Sequence, residues 1–260
     1  MTHDVEGGRL LLVPTPLDFG IGDGAASGAL QASLPLGVIR EAAGVAHWVV
    51  ENARSARAFL KRVDAVVPLA RPLREIQITE LPRPPKGGQG GRPPADLTPL
   101  LEPALHGVAI GLVSEAGLPA VADPGAALVR RAHELGIRVV PLPGASALLL
   151  ALAASGLNGQ GFTFAGYLPQ ETVARATRLR ELEAQSRRTG QTQLVIETPY
   201  RNRALLEAIV ATLHPATRLS ISCGLGLPSG WTRSAQVADW RACPVEMPAD
   251  VPAVFALLAG

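Results

Sequence analysis

Four polar residues stand where an apolar run gives way to a loop or a helix start: Glu51, Arg54, Asp123 and Glu197. A carboxylate in such a place can take the proton from a hydroxyl nucleophile, and an arginine can stabilise developing negative charge. The same residue types serve equally well as helix caps and ion-pair partners. Near them in the chain lie three loops built of proline, glycine and small side chains: Pro14-Thr15-Pro16-Leu17, the stretch SEAGLPAVADPG from Ser114 to Gly125, and Pro143-Gly144-Ala145-Ser146-Ala147. Such loops let backbone N–H and C=O groups approach a ligand closely. Each follows an apolar run, and in open α/β sheets ligands collect at the carboxyl ends of strands.

Other chemistries find little support. The five histidines, His3, His47, His106, His133 and His214, are scattered and form no HxxxH or HExxH pair. Cys223 and Cys243 are the only cysteines and lack metal-ligand spacing, so no metal site is expected and both thiols are expected reduced and buried. No GxGxxG follows the first apolar run, which argues against the common dinucleotide-binding arrangement.

The elements that must hold these residues alternate. Arg9 to Val13 reads as a buried strand ended by Pro14-Thr15-Pro16, a loop expected not to continue as sheet. His47 to Glu51 reads as a second strand, and Ala56, Phe59, Leu60 and Val63 recur at helical spacing after it. Further on come a helix over Asp96 to Leu105, a strand over Val108 to Val113, a helix over Ala126 to Leu135 capped by Gly136, and a strand over Arg138 to Val140. The apolar run Ala145 to Leu157 is shorter than a membrane span and reads as a buried helix. This alternation predicts an α/β domain with a largely parallel sheet.

A break at Leu157-Asn158-Gly159-Gln160-Gly161 sets the expected boundary between domains 1–157 and 158–260. Beyond it lie a strand over Phe162 to Tyr167, an amphipathic helix over Glu171 to Arg188, a strand over Gln193 to Glu197 and a helix over Asn202 to Leu213. Strand-like runs then cluster at Leu219 to Cys223, Thr232 to Val237 and Val251 to Leu258, which predicts a mixed sheet with an antiparallel part.

Taken in order, VPTP, SEAGLPAVADPG, PLPGASALLLALAASGL, GYLP and ETPYRN resemble the tetrapyrrole methylase superfamily, especially its branch of ribosomal RNA small-subunit 2′-O-ribose methyltransferases. The resemblance spans nearly the whole chain. It implies two α/β domains, a mainly parallel N-terminal sheet and a mixed C-terminal one, with S-adenosylmethionine in the cleft between them and S-adenosylhomocysteine as product. A homodimer is the implied assembly. Carried over to this chain, the implied cofactor contacts are Pro16, Leu17, Glu115, Ala116, Gly117, Leu118 and Ala122, then Ser146 and Ala147, and finally Tyr167, Leu168, Thr198 and Ala253. Ser146 could equally be a helix N-cap. The implied reaction is in-line transfer of the sulfonium methyl, with alignment supplying most of the rate gain. Its implied acceptor is a ribose hydroxyl of ribosomal RNA in the small subunit. A tetrapyrrole or other small molecule, or a protein that binds the cofactor without turnover, are the alternatives.

Related sequences carry Glu-Asp-Thr-Arg where this chain has Glu51-Asn52-Ala53-Arg54, so one acid is missing. A Pro/Gly-rich stretch, Leu81 to Pro94, replaces a polar segment of the RNA-modifying members, and charged residues of that branch are absent near Gly224-Leu225-Gly226. Hydrophobic residues form 47% of the chain, charged residues 18%, and the net charge is +2, so any RNA contact must be a local patch. Two patches are expected: Arg83, Lys86 and Arg92 in the loop, and Arg175, Arg178, Arg187 and Arg188 on a helix whose Leu179 and Leu182 face inward. The start of the chain has no basic segment followed by a long apolar run, so a cytoplasmic location without membrane contact is expected.

Overall fold

The structure, a computed structural model, describes residues 7–18, 30–82 and 96–260. The candidate RNA-contacting residues Arg83, Lys86 and Arg92 lie outside that range. The chain divides into two compact units, Met1–Ala145 and Ser146–Gly260.

In the first unit β1 (Arg9–Leu12), β2 (His47–Val50), β3 (Gln77–Glu80), β4 (Ile110–Val113) and β5 (Arg138–Pro141) alternate with α1 (Leu36–Ala43), α2 (Ala53–Asp64), α3 (Thr98–Leu105) and α4 (Ala126–Glu134). The strands form one sheet in the order β3-β2-β4-β1-β5, and every pairing is parallel. One face packs on Val38, Ile39, Phe59, Leu60 and Val63 from α1 and α2, the other on Leu101, Ala104, Leu128 and Ala132 from α3 and α4. Coverage on both faces explains why β4, at the centre, is an unbroken buried run, Ile-Gly-Leu-Val. Its Gly111 is opposite Trp48 in register, and a Cβ there would lie 2.6 Å from the indole Cε3. α2 buries the four residues expected from their spacing. Its N-cap is Asn52, whose Oδ1 accepts from the N–H groups of Arg54 (2.8 Å) and Ser55 (3.3 Å). The asparagine that stands in place of the missing acid therefore starts the helix as well as an aspartate would.

Because β4 sits between β1 and β2, the connections leaving β1 and β4 run toward opposite sides of the sheet. That reversal opens a crevice at the carboxyl ends of these two strands.

The second unit comprises α5 (Ala147–Ser155), β6 (Phe162–Tyr167), α6 (Thr172–Thr189), β7 (Thr192–Glu197), α7 (Asn202–Thr212), β8 (Arg218–Cys223), β9 (Trp231–Gln236), α8 (Val237–Ala242) and β10 (Ala253–Leu258). Its sheet runs β6-β7-β10-β8-β9, with β6 and β7 parallel and the remaining pairs antiparallel, the mixed sheet expected from the sequence. One face carries Val195, Leu219, Ile221 and Phe255 against Leu179, Leu182, Leu205 and Ile209 of α6 and α7.

The other face packs on α5 through Leu148, Ala151 and Leu152 against Leu194, Val254 and Ala256. This docking places α5 in the second unit, so the units part at Ala145/Ser146 rather than after Leu157. α5 is also not buried all round, since Leu149 and Leu150 are 52% and 45% exposed. An evenly apolar sequence hides which face packs. Cys243, expected buried, is exposed, whereas Cys223 at the end of β8 is buried. Among the described residues no helix is long and apolar enough to cross a membrane.

Candidate functional site

The three loops at the carboxyl ends of β1, β4 and β5 are laced together. Val13 donates to the Leu112 carbonyl (2.9 Å) and Leu142 to that of Leu12 (3.0 Å), extending the sheet by a residue on each side. Thr15 and Gly117 then exchange two backbone hydrogen bonds (2.9 and 3.1 Å), an antiparallel bridge that contradicts the expectation of a loop without sheet pairing after Val13. Proline on either side of Thr15 does not prevent it, because only the Thr15 N–H has to donate. The Thr15 hydroxyl also reaches the Ser114 carbonyl (3.4 Å), and Arg62 of α2 holds Asp18 at 2.9 Å. From the third loop, Gly144 lies so close to Pro14 that a Cβ would sit 2.3 Å from the proline ring.

Gly117 is the floor of this cradle. Its φ of +75° suits glycine, and a Cβ would stand 3.3 Å from Leu17 Cδ2 and 3.5 Å from the Ala145 carbonyl. Pro16 and Leu17 are buried beside it, while Glu115 is exposed and Ala116 and Leu118 are half-buried. The rest of the loop is strained: Ala120 and Ala122 both have φ of 65°, and only the Ala120 N–H to Pro124 carbonyl contact (3.3 Å) closes the turn. An L-residue with a Cβ in this region costs about 1–2 kcal/mol. Two in one loop single it out, and nothing in the type alanine announces them.

Acidic side chains gather at the same edge. Glu51 leaves β2 next to the end of β4, its N–H donating to the Val113 carbonyl (3.2 Å) and its Oε2 accepting from the Glu115 N–H (3.1 Å). Asp123 shares the neighbourhood. Burial, then the charges of Glu51 and Glu115, push its carboxyl up to about 7. The adjacent Ser114 hydroxyl opposes this only weakly, since it completes no full hydrogen bond among the described residues. Arg54 is exposed in the first turn of α2 and supplies its backbone N–H to the Asn52 cap. Sequence reasoning named Glu51 and Asp123 separately. It missed Ser114 and the tie between Glu51 and the Glu115 amide, which only the β2–β4 register creates.

Glu197, the remaining acid, belongs to the second unit and is engaged in structure. Oε1 accepts from the Thr198 N–H (2.8 Å) and hydroxyl (3.3 Å), and Oε2 pairs with Arg201 at 2.5 Å. Thr198 and Ala253 sit at one end of the second sheet, where β10 begins opposite the end of β7, and Tyr167 ends β6 on that same side. Tyr167 is 58% exposed, but Leu168 points into the core. Ser146, buried, holds the N-cap position of α5 with no side-chain cap bond, and Ala147 opens the helix. On α6, Leu179 and Leu182 face inward as expected, yet Arg175 is half-buried and Arg178 is paired with Glu181 (2.9 Å). Arg187 and Arg188 are exposed.

No family model matches the chain. It is 43% identical over 102 residues to ribosomal RNA small subunit methyltransferase I of Vibrio cholerae, covering 39% of this chain and 34% of that protein. It is 47% identical over 124 residues to the protein of the same name from Mesorhizobium japonicum, covering 47% and 41%. The match thus spans well under half the length of these relatives. Among solved structures, the methyltransferase CobJ is similar with a TM-score of 0.57 at 16% identity, covering 97% of this chain and 95% of that one. Uroporphyrin-III-C-methyltransferase from Thermus thermophilus is similar with a TM-score of 0.50 at 18% identity, covering 97% and 94%. Homologous in sequence to the first pair and sharing its two-unit fold with the second, the chain belongs to the tetrapyrrole methylase superfamily.

Proposed function

We propose that this protein is an S-adenosylmethionine-dependent methyltransferase that methylates small-subunit ribosomal RNA on a ribose 2′-hydroxyl. The observation that carries the proposal is the cradle of three strand-end loops, locked by the Thr15–Gly117 bridge and floored by a residue that tolerates no side chain. The names of the relatives support the RNA acceptor.

The cradle suits this cofactor chemically. Backbone at Gly117 and Leu118 can lie against a flat nucleoside, and Leu17 offers it an apolar wall. Glu115 and Asp123 supply negative charge beside a cationic ligand. When bound, the cofactor supplies a methyl group on a positively charged sulfur. The residues of the chain then do three things: Leu17, Gly117 and Leu118 fix where that carbon lies, the bridge keeps those loops from spreading, and the acidic edge receives a proton. Alignment of this kind is the larger part of catalysis for an in-line transfer. We also propose a homodimeric, cytoplasmic protein; light scattering at micromolar concentration tests the assembly, and a monomer there overturns it.

Calorimetry should detect S-adenosylmethionine or S-adenosylhomocysteine binding to the purified protein. A nucleoside mass profile of ribosomal RNA from cells with and without the gene should show one 2′-O-methyl nucleoside lost. Binding with an unchanged profile would point to a small-molecule acceptor or a protein without turnover.

A further inference from the structure

A ribose hydroxyl becomes a competent nucleophile only as its proton leaves, so the reaction proposed above needs an acceptor for that proton. Parallel pairing of β2 with β4, Val50 opposite Val113, delivers Glu51, Ser114 and Glu115 to one edge of the first sheet. The left-handed turn through Ala120 and Ala122 then brings Asp123 back to them. The stretch from Ser114 to Gly125 holds no lysine or arginine. This edge is therefore built with like charges together.

Ser114 makes the edge more than an acidic cluster. It is only 5% exposed, and its Oγ lacks a hydrogen-bond partner among the described residues although it lies beside Asp123. A buried hydroxyl left in that state points to a ligand group that completes it.

We propose that Asp123 accepts the proton of the methyl-accepting hydroxyl, that Ser114 holds that hydroxyl, and that Glu51 is the positioning residue that keeps Asp123 basic. This rests on the methyltransferase reading. An oxygen lone pair forms the new O–C bond while the C–S electron pair returns to sulfur, leaving a neutral thioether. The O–H bond breaks toward oxygen, and its proton joins the Asp123 carboxylate and leaves to solvent. Glu51 is the weaker candidate for acceptor, because the Glu115 N–H stabilises its charged form and fixes its orientation. Glu115 is exposed and shares no such fixed contact. Asp123, raised to about 7, is matched to proton transfer near neutral pH.

The test is a pH–rate profile of methyl transfer to purified small ribosomal subunits at saturating S-adenosylmethionine, with affinity for that cofactor measured in parallel. The wild type should show an acid limb of unit slope with its midpoint near 7. Asp123→Asn should lose about 10²–10⁴-fold in turnover while binding cofactor normally. Glu51→Gln keeps an oxygen for the Glu115 N–H but removes a like charge, so its acid limb should move down by roughly one pH unit, and Glu51→Asp should return it. A Ser114→Ala variant should raise KM for the subunits more than it lowers kcat. Turnover of Asp123→Asn above a tenth of wild type, or an acid limb unmoved in Glu51→Gln, overturns this assignment alone. Intact cofactor binding by the wild type without transfer to the subunits overturns the RNA reading and this proposal with it.

Discussion

Two carboxylate sites, each at the carboxyl end of a parallel strand, have been treated in opposite ways. At the end of β7, Glu197 is buried to 1% exposure of its side chain, and it is neutralised by Arg201 and by two donors of Thr198. At the ends of β2 and β4, Glu51, Glu115 and Asp123 stand near one another and the bonds among them bring no cation. A satisfied buried pair specifies a corner of the fold. A set of repelling acids raises free energy and makes one of its members a base. Residue type and strand-end position are the same in both; the partner decides what the carboxylate does.

The largest effect should come from breaking the satisfied site. Arg201→Ala leaves the Glu197 carboxylate buried without its cation, and loss of one member of such a pair costs roughly 3–5 kcal/mol. Trp231 and Trp240, both in the second unit, report its urea unfolding by fluorescence. A loss below about 1 kcal/mol would mean that the pair behaves as a solvated one. Next in size is Gly117→Arg in the cradle. Its side chain would enter the space beside Leu17 and Ala145, and cofactor affinity should fall at least about a hundredfold, or about 2.7 kcal/mol at 1.4 kcal/mol per tenfold. Normal affinity in a folded Gly117→Arg variant would remove this loop from the site.

What could be read from the sequence divides along the same line. Strands with both faces covered announce themselves as apolar runs, as β4 does, and α2 shows its buried face in Ala56, Phe59, Leu60 and Val63. β3 escaped notice because it pairs only with β2, at the sheet edge, and carries mostly exposed residues. α1 and α8 are short, and the sequence signal of a helix weakens with length. The domain boundary shifted because the break after Leu157 is a local signal, whereas the docking of α5 on β8 to β10 is not. In the site, Gly and Pro placed the loops correctly. The acidic edge depends on register between residues more than sixty apart, and the pattern of a single strand cannot carry that.

The pH dependence of stability separates the two sites again. A carboxyl raised in the folded state binds its proton more tightly there than in the unfolded chain. Asp123 therefore favours folding while protonated, and that advantage disappears as pH rises from about 4 toward about 7. Asp123→Asn removes the ionisation, so the variant should gain stability relative to wild type across that window and hold the gain above it. Thermal unfolding at pH 5 and pH 8 measures the difference. A gain that does not grow with pH would mean that Asp123 titrates as an ordinary surface acid.

The smallest effect concerns the backbone that carries Asp123. Among the described residues only Ala120 and Ala122 combine a side chain with positive φ, and both belong to the loop of the repelling acids; none lies near Glu197. Ala122 is exposed, so its replacement by glycine removes no packing. Glycine would release the left-handed penalty of about 1–2 kcal/mol but add roughly 0.5–1 kcal/mol of unfolded-state entropy, leaving a net stabilisation of about 0.5–1 kcal/mol. It would also widen the range of positions open to Asp123, so turnover should fall severalfold while the melting temperature rises. Opposite changes in stability and activity are the expected mark of strain kept for function. If Ala122→Gly instead lowered stability, the left-handed turn would be no burden on the fold, and the contrast with the relaxed Glu197 corner would rest on charge alone.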